Sequence, residues 1–181
     1  LFAYIYKIRI LIEVEEIEMA KEEIKSLRNE DVENQNLDFL EALILDYEDK
    51  REEATEIYKN LIKKLEEDDE GILAFPEELY FYYINEIFNT DEEGDVLELA
   101  QKGLKYSPKH QGLLYYKGIE LSIREQYNDA KETFEYIAQL YPDNGYSDRK
   151  IGDIYNDQEL YEKALEYYNK QIEKEYDIDD Y

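Results

Sequence analysis

The same residue types return every 34 positions along this chain. The repeating pairs are Ala20 and Ala54, Pro108 and Pro142, Gly118 and Gly152, and Ala130 and Ala164. A period of this length is typical of helical repeat arrays, in which each repeat buries its apolar face against its neighbours. Such arrays present long binding surfaces and seldom carry chemistry of their own. The period therefore predicts an all-α protein built from stacked helix hairpins.

The proline and alanine positions set a repeat frame along the whole chain. The frame predicts five repeats, at 1–34, 35–68, 77–110, 111–144 and 145–178, with an insertion at 69–76. Polar turns such as 156–158 divide each repeat into two helical stretches. Small residues should lie where paired helices approach closely. These residues are Ala20, Ala42, Ala54, Gly118, Ala130, Gly152 and Ala164. We therefore predict ten helices in one domain, 1–181.

The charge of the chain narrows the choice of partner. There are 47 acidic and 21 basic residues, which gives a formal net charge of −26. Nucleic-acid binding begins with a basic face, so we expect no nucleic-acid partner. The same charge opposes anionic membrane surfaces and favours neutral or basic protein partners. It also fits a protein that is simply kept soluble by its charge.

Residues for catalysis or metal binding are scarce. The sequence has no cysteine and a single histidine, His110, which excludes a thiol nucleophile and a two-histidine metal site. We interpret His110 as a turn residue. An acidic stretch at 66–77 partly fits calcium-loop offsets, but it opens with Glu66 instead of Asp and places Pro76 before Glu77. A solvated loop is the favoured interpretation, and calcium binding is the alternative. We predict no enzyme, no cofactor and no metal site.

The apolar start of the chain does not predict a membrane span. Residues 1–12 include Lys7 and Arg9 and fall short of the roughly 20 residues that cross a bilayer. We expect a first helix there. Because the sequence begins with Leu1 instead of methionine, we expect upstream residues in the natural protein, with room for a signal or an anchor. The compartment therefore stays open, with the cytoplasm favoured.

The residues at fixed repeat positions resemble the tetratricopeptide repeat (TPR) family, and the resemblance covers essentially the whole chain. The matching residues in the fifth repeat are Ile151, Gly152, Tyr155, Ala164 and Tyr168. Those in the fourth are Leu114, Gly118, Ala130, Phe134 and Pro142, and those in the second are Ala42, Leu45, Ala54, Tyr58 and Leu61. The first and third repeats depart from the pattern, with Ile8, Ile84 and Val96 where the family prefers small residues. The resemblance implies a right-handed superhelix with a concave groove.

The resemblance also implies which side chains face that groove. Ile5 and Arg9 face it in the first repeat. The positions that we assign to peptide binding are Phe39, Leu43, Tyr47, Phe81, Asn85, Phe88, Tyr115, Ile119 and Arg149. We expect Phe39, Phe81, Phe88 and Tyr115 to supply apolar pockets. The competing interpretation is that neighbouring helices cover these rings. Family members that hold acidic chaperone tails use a basic clamp, and this sequence lacks it.

These observations leave two hypotheses for function. The leading one is a non-enzymatic scaffold that binds a peptide or partner segment in its groove. The alternative is that the chain is the sensor or regulatory portion of a larger enzyme or transcription regulator. The apolar first helix further suggests self-association through the amino-terminal helix. At the other end, we expect the last helix to act as its own polar cap, with Glu162, Glu166, Asn169 and Glu173 outward.

Overall fold

The structure of the protein is a computed structural model, and it describes residues 1–30, 32, 34–67, 73–88, 94–143 and 145–179. These residues form ten helices, and no strand occurs among them. The first five are α1 (Phe2–Glu13), α2 (Ile17–Asn29), α3 (Gln35–Tyr47), α4 (Arg51–Glu67) and α5 (Pro76–Phe88). The other five are α6 (Val96–Tyr106), α7 (Gln111–Ile123), α8 (Tyr127–Leu140), α9 (Tyr146–Asp157) and α10 (Tyr161–Asp179). The predicted all-α class is confirmed.

The chain divides into two compact units, which we describe separately. The amino-terminal unit runs from Leu1 to Glu93 and contains α1 to α5. The carboxy-terminal unit runs from Gly94 to Tyr181 and contains α6 to α10. Within each unit, helices that are consecutive in the chain pack on each other as antiparallel hairpins, such as α3 with α4 and α9 with α10. The single continuous domain and its repeat boundaries stay a prediction.

The 34-residue period also appears in the backbone, at the loops inside four hairpins. Glu15, Asp49, Glu125 and Glu159 all have positive φ, between 58° and 61°. In each loop the next residue's N–H bonds back to a helix carbonyl five residues earlier, for example from Glu16 to Leu11 at 2.8 Å. This is the usual helix ending in which one left-handed residue lets the chain turn. The same turn therefore joins hairpins in both units, with an acidic residue where glycine is commonest.

The predicted close approach of helices at small residues is confirmed. A side-chain carbon added to Gly118 would lie 2.7 Å from the Phe134 ring, and one added to Gly152 would lie 2.6 Å from the Tyr168 ring. At these positions α7 and α8, and likewise α9 and α10, leave no room for a side chain unless the facing ring moves. The repeating alanines are also buried. They are Ala20, Ala42, Ala54, Ala130 and Ala164.

Each unit has its own apolar core. In the amino-terminal unit, large side chains with almost no exposure come from α1, α3, α4 and α5. They include Ile5, Ile8, Leu37, Phe39, Tyr58, Leu61, Leu79 and Ile84. In the carboxy-terminal unit, one cluster combines residues of α7, α8 and α9. It contains Leu114, Leu121, Ala130, Phe134, Ile137, Ile151 and Ile154. Burial of these side chains supplies the main stabilisation of each unit.

The two terminal helices expose more apolar surface than a polar cap would. The predicted outward residues Glu162, Glu166, Asn169 and Glu173 of α10 are exposed. However, Leu165 and Ile172 of the same helix are 60% and 46% exposed. The expectation of a purely polar cap is therefore incomplete, because α10 carries an apolar stripe beside its polar one. No helix in the described part of the chain is long and apolar enough to cross a membrane.

Two loop predictions have different outcomes. His110 is the residue before α7, and its Nδ1 accepts a hydrogen bond from the Leu113 N–H at 3.2 Å. It thus serves as a helix cap, which is a structural role. In the acidic stretch 66–77, residues 68–72 lie outside the described residues. The calcium alternative for that stretch is therefore untested.

Candidate partner-binding surfaces

Two of the nine residues assigned to peptide binding lie in the core. Phe39 is 1% exposed and Leu43 is 4% exposed. The Phe39 ring packs against the rings of Tyr58 and Tyr82, with centroids 6.1 and 6.2 Å apart. Helices α4 and α5 thus cover this side of α3, as the competing interpretation expected. The expectation that Phe39 supplies an open pocket is wrong, and Leu43 offers no surface to a ligand either.

The other assigned residues of the amino-terminal unit reach the surface. Phe81, Asn85 and Phe88 of α5 are half-buried. Tyr47, the last residue of α3, is 53% exposed, and its hydroxyl lies 3.5 Å from a carboxylate oxygen of Glu15. Half-buried side chains on a packed helix are held in place and still offer contact area. The unit therefore presents a partly aromatic surface, centred on α5.

A charged cluster lies beside that surface and is anchored by Arg9 of α1. Its guanidinium is 2.9 Å from Glu78 and 3.5 Å from Glu13, and it donates a hydrogen bond to the Tyr82 hydroxyl at 3.5 Å. The Arg9 side chain is only 14% exposed, and that of Glu78 is 26% exposed. Burial raises the pKa of Glu78, while Arg9 opposes this rise. The pair therefore joins α1 to α5 in a partly dry setting.

A pair of acidic side chains, Asp46 and Glu86, joins α3 to α5. The carboxyl groups of Asp46 and Glu86 are hydrogen-bonded to each other. Glu86 is 3% exposed, whereas Asp46 is half-buried. Burial raises the pKa of both groups, and Arg51 partly opposes the rise. One proton shared between two carboxyl groups is the arrangement that such proximity favours.

Tyr58 of α4 lies near this pair, and its hydroxyl interacts electrostatically with both carboxyl groups. Its ring is fully buried and stacks on Tyr82, with centroids 6.2 Å apart and planes at 25°. The hydroxyl has no hydrogen-bond partner among the described residues. Its electrostatic neighbours are Asp46, Tyr82, Glu86 and Arg9, and burial raises its pKa strongly. A buried hydroxyl without a partner costs free energy, so a hydrogen-bonding group of a ligand would be stabilised at this position.

In the carboxy-terminal unit, Tyr115 and Arg149 both contact the ring of Tyr146. The Tyr115 and Tyr146 hydroxyls share a hydrogen bond, and their rings meet edge to face at 5.1 Å. The Arg149 guanidinium lies over the Tyr146 ring at 4.7 Å. Burial raises the pKa of Tyr115, and its bond to Tyr146 adds to the rise. Tyr115, Tyr146 and Arg149 thus form one fixed surface, with Arg149 exposed and the two tyrosines half-buried.

Ile119 lies next to that surface and packs beneath it. It is half-buried one turn after Tyr115 on α7 and packs against the apolar core of its unit. Tyr115 packs against the same core and contacts the Phe134 ring at 6.5 Å. The aromatic surface therefore rests on rigid packing below it. Rigid aromatic side chains give up little conformational freedom when they bind a partner.

Several contributors to these surfaces, among them Asp46, Tyr58 and Glu78, were not among the nine predicted residues. Tyr82 and Glu86 lie on α5 beside Phe81 and Asn85, and Tyr146 is the first residue of α9. A strict groove register excluded them, because it selects one residue per helical turn. The acidic pair could have been suspected from two carboxylates placed in the last turns of α3 and α5. Their mutual contact depends on the packing of α5 on α4, which the sequence pattern alone does not give.

Each unit also has a surface pit between three consecutive helices. One of about 340 Å³ lies among α2, α3 and α4, with mostly apolar walls that include Ile24, Ile44 and Ile57. The other, of about 610 Å³, lies among α6, α7 and α8 and is half polar. Neither pit is lined by any of the nine predicted residues. Within the described ranges, no group of three or more His, Cys, Asp or Glu side chains is placed to hold a metal ion.

The fold has close counterparts among solved structures. No protein-family model and no curated protein sequence matches the chain. A crystal structure of MamA aligns with a TM-score of 0.74 and 18% identity, over 94% of this chain and 95% of MamA. YrrB, described as a TPR protein with an unusual peptide-binding site, aligns with a TM-score of 0.73 and 17% identity, over 94% of this chain and 84% of YrrB. The chain therefore has the TPR fold, as the sequence predicted.

Proposed function

We propose that the protein is a non-enzymatic scaffold that binds an extended or helical segment of a partner protein. The observation that carries this proposal is the fixed aromatic surface of Tyr115, Tyr146 and Arg149 in the carboxy-terminal unit. Such surfaces offer apolar area, hydrogen bonding and charge without a large entropy cost. The half-buried Phe81, Asn85 and Phe88 give the amino-terminal unit a comparable surface. YrrB, which shares the fold, has a peptide-binding site.

The partner segment should be neutral or basic. The formal charge of −26 raises the local concentration of cationic segments and repels acidic ones. A nucleic-acid partner is disfavoured for the same reason. An enzymatic role is disfavoured because the sequence has no cysteine and its single histidine caps α7. Binding without chemistry is thus the function that the residues support best.

Peptide selection tests this proposal. The full chain is immobilised and used to select from a library of random peptides displayed on phage. We expect enrichment of sequences that contain Arg or Lys and few Asp or Glu. The Tyr115→Ala variant should capture the selected phage about tenfold less well. Tyr136→Ala, which removes an exposed tyrosine from α8 outside the proposed surface, should leave capture unchanged. No enrichment, or enrichment of acidic peptides, would contradict the proposal.

We also propose that α1 mediates contact with a second copy of the chain. Phe2, Tyr6 and Ile10 are spaced by four residues, so they share one face of α1, and each is more than half exposed. The Tyr6 ring meets the Phe75 ring edge to face at 5.3 Å, which extends the apolar area. A patch of this kind on a soluble protein commonly marks an interface. The charge of Lys7 at its edge limits repulsion between two acidic copies.

Sedimentation velocity tests the self-contact. We expect a concentration-dependent dimer, which Ile10→Glu should convert to a monomer. Ile123→Glu is the matched control, because Ile123 is equally exposed but lies alone at the end of α7. A wild-type chain that stays monomeric at its highest soluble concentration would refute the proposal.

A further inference from the structure

The carboxyl pair in the amino-terminal unit has more negative charge than its surroundings compensate. Two arginines, Arg9 and Arg51, face five carboxyl groups. These belong to Glu13, Asp46, Asp49, Glu78 and Glu86. Arg9 pairs with Glu78 and Glu13, and Arg51 pairs with Asp49 at 3.1 Å on an exposed loop. Neither Asp46 nor Glu86 forms an ion pair within the described part of the chain. A proton held between the two carboxyl groups would reduce this negative charge.

Helix geometry adds to this excess of negative charge. Asp46 is the penultimate residue of α3, and Glu86 lies two residues before the end of α5. Carbonyl groups at a helix carboxyl end carry partial negative charge, so a carboxylate there is disfavoured and a cation is favoured. Two such helix ends converge on one buried pair. The site therefore attracts a positive group from any source that can reach it.

Part of the site reaches the surface, and the Tyr58 hydroxyl within it has no hydrogen-bond partner among the described residues. Asp46, Tyr82 and Asn85 are half-buried and lead to the buried Glu86. The Asn85 amide donates to Glu86 at 3.3 Å. The whole Tyr58 side chain is buried. A water molecule would satisfy that hydroxyl, but it would leave the charge of the carboxyl pair uncompensated.

We propose that the Asp46–Glu86 pair and the Tyr58 hydroxyl form a binding site for an arginine side chain of the partner segment. This inference rests on the proposed scaffold function and names its chemistry at one position. A guanidinium offers five N–H donors in a planar fork, enough for two carboxylates and a hydroxyl, and the Tyr82 ring offers an adjacent face. A lysine ammonium has three donors and a stronger hydration shell. A metal ion is disfavoured, because the pair supplies only two carboxylates.

Binding should release a proton. Burial raises the pKa of Asp46 and of Glu86, which favours a proton held between the two groups as the pH falls. When the guanidinium arrives, that proton leaves to solvent and both carboxylates become charged partners of the ligand. Other groups that face the pair are Arg9 on α1, Asp49 and Arg51 around the start of α4, Tyr58 on α4, and Tyr82 on α5. The tyrosines and arginines stay protonated at neutral and mildly acidic pH. Affinity should therefore fall by up to about tenfold per pH unit on the acid side.

The test uses a small probe and its neutral isostere. The probe is Nα-acetyl-arginine amide, and the control is Nα-acetyl-citrulline amide, which has the same shape without the charge. Binding to the full chain is followed by the NMR signals of 13C-labelled side-chain carboxyl groups. We expect the arginine compound to shift Asp46 and Glu86, with release of a proton, and the citrulline compound to shift neither. Equal responses to both compounds would overturn the inference.

Matched variants separate this site from the general acidity of the chain. Glu86→Gln and Asp46→Asn keep the side-chain shape and should weaken arginine binding about tenfold. Glu173→Gln removes the same charge from the exposed face of α10 and should change nothing. Tyr58→Phe should weaken binding severalfold without lowering the stability of the free protein, because its hydroxyl lacks a partner. Equal losses in Glu86→Gln and Glu173→Gln would show a bulk charge effect and overturn the proposal.

A peptide from the library selection distinguishes failure of this inference from failure of the scaffold proposal. Its arginines are replaced one at a time by citrulline, and each version is titrated into wild-type chain and Glu86→Gln. We expect one arginine whose replacement weakens binding to the wild type but not to the variant. If every version responds equally in both proteins, the scaffold stands and the arginine site is refuted.

Discussion

The two units reach similar helix packing by different means. In the amino-terminal unit, aromatic rings and charged groups fill the space between helices, with Arg9, Glu78, Asp46 and Glu86 partly or fully buried. In the carboxy-terminal unit, glycines let helices touch rings directly, as at Gly118 and Phe134, and the buried polar side chains are Thr133, Ser147 and Asp148. In the amino-terminal unit, the net charge of the buried groups therefore depends on the protonation of the carboxyl groups and on bound partners. In the carboxy-terminal unit, the buried carboxyl group of Asp148 has a cationic partner, because Lys174 lies 2.5 Å from it. We therefore expect the carboxyl pair of Asp46 and Glu86 in the amino-terminal unit to respond to pH more strongly than the ion-paired Asp148 does.

The largest effect should come from removing the cation of the amino-terminal unit. Arg9→Leu leaves Glu78 partly buried without its partner and should lower the free energy of unfolding by about 2–3 kcal/mol. The double variant Arg9→Leu/Glu78→Leu should recover most of that loss, since two apolar side chains can replace a buried pair. Urea unfolding followed by circular dichroism gives both values. If the double variant is less stable than Arg9→Leu, the pair is not the reason for the loss.

The next effect belongs to the carboxy-terminal unit. Gly118→Ala forces a methyl group against the fully buried Phe134 ring and should cost about 1–2 kcal/mol. Gly152→Ala should cost less, because Tyr168 is half-buried and can move, with loss of its 3.0 Å bond to Asp153. The same denaturation experiment measures both. A gain of the roughly 1 kcal/mol that alanine brings to an open helix would show that these helices are not in close contact.

The pH dependence should have opposite signs at two glutamates of the amino-terminal unit. The pKa of Glu86 is raised in the fold, so the stability that its protonated form provides is lost as pH rises through that pKa. Glu86→Gln should therefore stabilise the protein at pH 7 by about 1 kcal/mol, and the gain should vanish toward pH 4. Thermal melts across that range measure the difference.

The pKa of Glu48 is shifted in the opposite direction to that of Glu86, so its effect on stability has the opposite pH dependence. Lys21 at 2.5 Å and Lys50 at 2.7 Å lower the pKa of Glu48 to about 2. Its contribution to stability is thus present above the unfolded pKa and is lost as pH falls through the folded one. Glu48→Gln should destabilise the protein at pH 7 and have little effect near pH 2. Parallel pH profiles for the Glu48 and Glu86 variants would contradict this account.

The smallest effect concerns the positive-φ loop that occurs inside hairpins of both units. Glu125→Gly in the carboxy-terminal unit should stabilise by about 0.5 kcal/mol, since glycine adopts positive φ without steric cost. Asp49→Gly in the amino-terminal unit should gain less, because aspartate tolerates this conformation better than glutamate. Chemical denaturation of both variants checks the order. A loss in either would show that the acidic side chain has a role beyond its backbone conformation.

The sequence predicts the repeat architecture well, for a physical reason. Contacts in such folds are mostly between residues close in the chain, so the positions of Gly118, Gly152 and the alanines carry most of the information. The candidate surfaces were harder to predict. Whether Phe39 faces solvent depends on how α4 and α5 cover α3, and its contacts with Tyr58 and Tyr82 join residues far apart in the chain. Tyr146 was missed because its role comes from contacts with Tyr115 and Arg149 across two helices.

Titration calorimetry with a selected peptide tests the central claim most directly. The peptide is titrated into the full chain, Tyr115→Ala, Phe81→Ala and the Tyr136→Ala control, each checked by circular dichroism for an unchanged fold. The scaffold account predicts that Kd rises about tenfold in at least one of the first two variants and stays unchanged in Tyr136→Ala. Equal Kd values in all four proteins would contradict it.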